Sequence, residues 1–137
     1  MMRTLHASAT TALLALGLTT SAMAGPAPYE PTAAELAALP PACQVKIGPE
    51  GRRDLVQQDL WRNRLGADNW MHYHHYCHGI KFTNRAFATF DRALKRYYLQ
   101  SAVGEFNYVL NAWPANSSLR PEAERRKQLV QNLMQAK

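Results

Sequence analysis

The chain has 137 residues, 47% of them hydrophobic and 19% charged, with a formal net charge of +6 and only two cysteines. That length fits one domain, and the apolar fraction excludes a disordered chain. Two cysteines are too few for a disulfide-built miniprotein, and the basic excess is too diffuse to point to nucleic acid.

Arg3 and His6 precede an uncharged apolar run, Ala12 to Leu18, which is followed by Ala22-Met-Ala24. This pattern predicts a secretory signal over residues 1–24, cleaved after Ala24 and leading to a periplasmic or secreted protein. The run is much shorter than the ~20 residues of a membrane helix, so no integral membrane segment is expected after signal removal. Arg3 is the one charged residue in the leader. The mature chain from Gly25 to Lys137 keeps fifteen bases against ten acids, a charge of +5. Such a charge suits salt-sensitive attraction to anionic surfaces, lipid head groups and acidic proteins among them.

Residues 25–50 read as a Pro-rich lead containing one short helix, and residues 51–137 as the helical domain. Gly25 to Pro31 holds three prolines and reads as extended and mobile. Thr32-Ala-Ala-Glu35 is a capping box, opening a helix that Pro40-Pro41 stops. Cys43 to Gly51 reads as a loop. In an oxidising compartment Cys43 is expected to pair with Cys77, stapling the lead onto the helical body.

An amphipathic helix is predicted over 52–65, with Leu55, Val56, Leu60, Trp61 and Leu65 as its apolar stripe and Gly66 as its end. Asp68 is expected to cap a second helix over 69–88. There Tyr73, Cys77, Ile80, Asn84 and Phe87 share one face, with Asn84 hydrogen-bonding a neighbouring helix. A third helix over 96–112 is expected to bury Tyr98, Ala102, Phe106, Val109 and Leu110, with Thr89–Lys95 either helix or connector. Tyr97, Tyr98 and Trp113 read as core aromatics. After Trp113-Pro114, Pro121 opens a last helix whose core stripe is Leu129, Val130, Leu133 and Met134. No alternating run suggests a strand, and the predicted class is all-α, a small helical bundle.

Ala102, Phe106, Leu110 and Pro114 fall at four-residue steps, and the preceding helix carries His75-Tyr-Cys-His78-Gly79-Ile-Lys-Phe82. This hairpin, about 68–114, resembles a tetratricopeptide repeat, with His75 and His78 in place of that family's tryptophan and leucine. The connector reads as longer than the repeat's tight turn. The resemblance implies a scaffold that presents a groove to a peptide or partner protein, flanked by capping helices. One hairpin falls short of a closed solenoid, which leaves room for an oligomer or larger assembly.

His74, His78, Lys81 and Arg85 lie within about 60° on the helical wheel and form a cationic stripe, either a solvated face or one suited to an acidic peptide or a phosphate-rich head group. With Tyr73 and Asn84 they are the expected partner-binding residues. His74 and His78 also have the spacing to share a metal ion, with His75 as a third ligand, so a metal- or haem-binding protein is the alternative reading. No carboxylate falls on that face, and no cofactor is predicted. A purely structural bundle is a further alternative. No catalytic motif is present, and Arg125-Arg126-Lys127 lacks the interleaved aromatics of a nucleic-acid site. The expected function is therefore that of an exported interaction module rather than an enzyme.

Overall fold

A computed structural model of the chain describes residues 25–136, so the expected signal segment lies outside the described residues. Those residues form six α-helices and no strand, an all-α bundle. α1 (Ala33–Ala37) starts at the capping box: the Glu35 N–H donates to Thr32 Oγ1, and the Thr32 N–H donates to the Glu35 carboxylate. The segment read as a loop after Pro40-Pro41 is instead α2 (Pro41–Ile47). The same prolines that end α1 begin α2, because a proline in the first turn forfeits only an N–H that the helix would leave unpaired. Gln44 on α2 donates to the Leu39 carbonyl at 2.9 Å, tying the two short helices together.

A 3-10 turn (Gly51–Arg53) leads to α3 (Leu55–Leu65), which Asp54 caps by accepting from the Gln57 N–H. The helix begins three residues later than its apolar pattern suggested. Leu55 and Val56 are 74% and 77% exposed, and only Trp61 and Leu65 pack against the core. Gly66 has φ +87°, and it rather than Asp68 caps α4 (Ala67–Ala88). A side chain there would strain the backbone.

α4 and α5 (Arg92–Ala112) form the principal helix pair, joined by Thr89–Asp91. That three-residue connector is shorter than expected, because α5 starts at the Asp91 cap four residues before the predicted position. Tyr98, Ala102, Phe106, Val109 and Leu110 are buried as anticipated. Phe106 lies against Gly79 on α4, where an added Cβ would meet its ring at 2.6–2.9 Å. The missing side chain on one helix thus makes the space that the aromatic of the other fills.

α6 (Arg120–Gln135) packs on α5, burying Ala123 and Val130, while Leu129 and Met134 of the expected stripe are largely exposed. Arg120 donates to the carbonyls of Leu110 and Trp113 and closes the end of α5. On the opposite side α2 packs on α4, and Cys43 is disulfide-bonded to Cys77 with their Cα atoms 5.3 Å apart. Leu39, Ala42, Cys43 and Ile47 belong to the same buried cluster as α4 and α5. No helix among the described residues is long and apolar enough to cross a membrane.

Candidate binding groove

The face of α4 read as a partner-binding cationic stripe is covered by the chain's own lead. Residues 25–32 are non-helical, and they lie over the groove between α4 and α5. Spacing of three and four residues along α4 brings His78, Lys81, Phe82 and Arg85 onto that face. All four are buried, Lys81 at 1% exposure.

Arg85 spends every one of its donors on the lead. Nη1 donates to the Pro28 carbonyl at 2.7 Å and the Ala27 carbonyl at 3.4 Å. Nη2 donates to the Glu30 carbonyl at 3.3 Å and to Glu35 Oε2 at 2.9 Å. Nε donates to Glu35 Oε1 at 2.6 Å. Lys81 Nζ donates to the intervening Tyr29 carbonyl and to His78 Nδ1 at 3.0 Å. Four consecutive carbonyls, Ala27 to Glu30, are therefore held by two side chains of one helix. From α5 the Tyr98 hydroxyl accepts from the Ala27 N–H at 2.9 Å.

The charges respond to this burial. Glu35 is lowered to about 2, chiefly because its carboxylate accepts from Arg85. Burial holds Lys81 down at about 8, and the Arg85 charge adds to the effect. Burial likewise lowers His78 to about 3, reinforced by Lys81 beside it. The Lys81 ammonium also sits over the Tyr29 and Phe82 rings at 4.3 and 4.2 Å, which offsets part of the lost hydration.

Tyr29 anchors the lead by its side chain. Its ring lies 4.3 Å from that of His78, and its hydroxyl donates to Glu105 Oε1 at 2.7 Å. Burial and the adjoining Glu105 raise its phenol well above the ordinary range. The other Glu105 oxygen stands 2.6 Å from His75 Nδ1, and the His75 ring stacks 3.6 Å from that of Tyr108. Beside this cluster opens a cleft of about 340 Å³, walled by Tyr29, His75, Tyr97, Glu105 and Tyr108 and left roomy by Gly104.

Of the six expected partner-binding residues, the structure buries Tyr73, His78, Lys81 and Arg85, half-buries His74 and exposes Asn84. Tyr73 is core, stacked between Trp70 and Trp113. Asn84 and Phe87 face outward rather than toward a neighbouring helix. Tyr97, read as core, is 46% exposed at the cleft. The carboxylate absent from that face of α4 arrives from α5 as Glu105. No group of three or more His, Cys, Asp or Glu side chains that could hold a metal occurs among the described residues. Tyr29, Glu35, Tyr98 and Glu105 complete the site. In the sequence Glu35 is visible only as a capping residue, and the other three carry no local signal for it.

No family model matches the chain, and neither a curated protein nor a solved structure is significantly similar to it.

Proposed function

We propose that this protein is an exported interaction module whose α4–α5 hairpin, tetratricopeptide-like in its spacing, binds extended polypeptide in the groove now filled by its own lead. The observation that carries this reading is the grip of Arg85 and Lys81 on four successive backbone carbonyls. Main-chain carbonyls are common to every extended segment, so such a clamp accepts many sequences, while side-chain pockets such as that around Tyr29 select among them. The disulfide suits the oxidising compartment that an exported protein would meet.

The test is calorimetric titration of a synthetic Gly25–Pro31 peptide into a chain lacking residues 25–30. Saturable binding, lost in the same chain carrying Arg85→Lys, supports the proposal. Lysine keeps the charge but cannot reproduce the five-donor fork. Absence of binding to a chain that still melts cooperatively removes it.

A further inference from the structure

The far end of the α4–α5 hairpin is built in a way that packing within the chain does not require. Phe90, in the connector, is 103% exposed, and Phe87, at the end of α4, is 58% exposed. An exposed aromatic on a loop is ordinary when single, but two within four residues at one tip form a protruding apolar point. The connector that carries Phe90 is tied down. Thr89 Oγ1 accepts from the Asp91 N–H, and Asp91 Oδ1 accepts from the Leu94 N–H at 2.9 Å. Leu94 in turn packs against the core. Phe90 is thus presented on a structured turn.

Immediately behind the phenylalanines stand Arg92, Lys95 and Arg96, the two arginines exposed and Lys95 half-buried. None of the three makes an ion pair among the described residues. The nearest acid in the chain, Asp91, is committed to its helix cap. These cations also occupy the opening turns of α5, where the helix dipole disfavours positive charge and where no acidic residue stands. Unpaired cations at that position are unfavourable to the isolated fold, and an anionic surface in front of them reverses the sign.

We propose that this tip docks on bilayer surfaces containing anionic phospholipid. Phe90 and Phe87 enter the boundary between head groups and acyl chains, and Arg92, Lys95 and Arg96 face the lipid phosphates. An aromatic point backed by cations has the two-part chemistry of interfacial attachment, apolar insertion plus electrostatic attraction. A bilayer accepts both phenylalanines without a matching pocket, whereas an acidic protein would need one shaped to a fully exposed Phe90, which is why the bilayer is the better fit.

The experiment is flotation of the protein with vesicles of phosphatidylcholine, with and without ~30% phosphatidylglycerol, at ~50 mM salt and again at high salt. Binding is expected only with phosphatidylglycerol present, and it should fall as salt rises. Phe87→Ala with Phe90→Ala should weaken it about tenfold or more, given the transfer free energy of exposed phenylalanine. Arg92→Gln, Lys95→Gln and Arg96→Gln together should weaken it more than tenfold, at roughly fivefold per cation. Phe87 and Phe90 are exposed, so their loss should leave thermal unfolding unchanged, and removing cations from the start of α5 should leave it unchanged or slightly raised; a retained melt is therefore the control for both sets. Absence of flotation with phosphatidylglycerol overturns the proposal. So does binding that persists at full strength without the phenylalanines, which would reduce it to attraction between a basic protein and any polyanion. Equal binding to pure phosphatidylcholine would overturn the role of the cations.

Discussion

Lys81 Nζ lies 3.0 Å from Nδ1 of His78, one helical turn earlier, with both side chains buried beneath Tyr29. A donor that close requires a lone pair on Nδ1, so the contact favours neutral His78, and two positive charges there would repel. The pair makes stability depend on pH in two separate windows.

Folding should weaken as pH falls from about 6.5 to 3. An unfolded His78 takes up its proton near 6.5, whereas the folded one resists until about 3. The unfolded chain then binds more protons, and stability drops on acidification. Glu35, held at about 2 in the folded chain, adds a loss in the same direction below its ordinary 4.5. Urea unfolding across this range checks the slope. His78→Gln, whose amide oxygen can still accept from Lys81, should flatten the part above pH 4.5.

Stability should rise between about pH 8 and 10. Lys81 loses its proton near 8 when folded but only near 10.5 when unfolded, so the unfolded chain again binds more protons, and stability climbs with pH. Above pH 10 the raised phenols of Tyr29 and Tyr73 work the other way. Lys81→Met should reduce the alkaline rise to the part that Lys46, also lowered by burial, contributes, which the same unfolding curves would reveal.

Gly79→Ala should destabilise by about 1–3 kcal/mol, since the new methyl meets the wholly buried Phe106 ring below 3 Å. Gly104→Ala should instead stabilise by about 0.5–1 kcal/mol. Nothing lies within 4 Å of its added Cβ, and alanine is the better helix former. Opposite signs for the same substitution on the two helices of one hairpin are easily read from thermal melts.

Reduction of the Cys43–Cys77 bond should cost on the order of 3–4 kcal/mol for a sequence separation of 34. The midpoint of urea unfolding with and without dithiothreitol measures it.

Arg85→Lys should free the lead while sparing the hairpin. A lysine cannot satisfy four carbonyl and carboxylate partners from one fork, and Glu35 would keep only the Thr32 N–H and one weaker ammonium donor. A loss of about 1–3 kcal/mol is expected. Amide exchange at Ala27 should quicken sharply while that at Phe106 changes little.

Much of the helical body was legible because its determinants are local. Ala102, Phe106 and Leu110 repeat at the helix period, and Thr32 and Glu35 close a capping box three residues apart. Pro40-Pro41 reads as a stop although it is also a start, since proline is equally at home in a first helical turn. Leu55 and Val56 are apolar yet exposed, because adjacent residues point about 100° apart on a helix and do not make a stripe together. The groove lay beyond local reading for a different reason. Lys81 and Arg85 do share a face, but what covers it comes from 50 or more residues away. A proline-rich segment reports that it is not helical, and says nothing about what its carbonyls will meet. Glu105 reaches His75 only through the register between two helices, which periodicity within each does not specify.

The staple at Cys43 also sets the terms on which the groove can be entered. It fixes the chain to the middle of α4 only twelve residues after Pro31, so the lead cannot drift far from the carbonyl clamp even when it lets go. A tether that short keeps the lead at an effective concentration on the order of millimolar. A rival segment present at about micromolar concentration must therefore bind roughly a thousandfold more tightly than the lead, about 4 kcal/mol, to displace it half the time. Cutting the disulfide lengthens the tether and lowers that threshold, so on the proposed function the thiol state of the surroundings would control which segments compete for the groove.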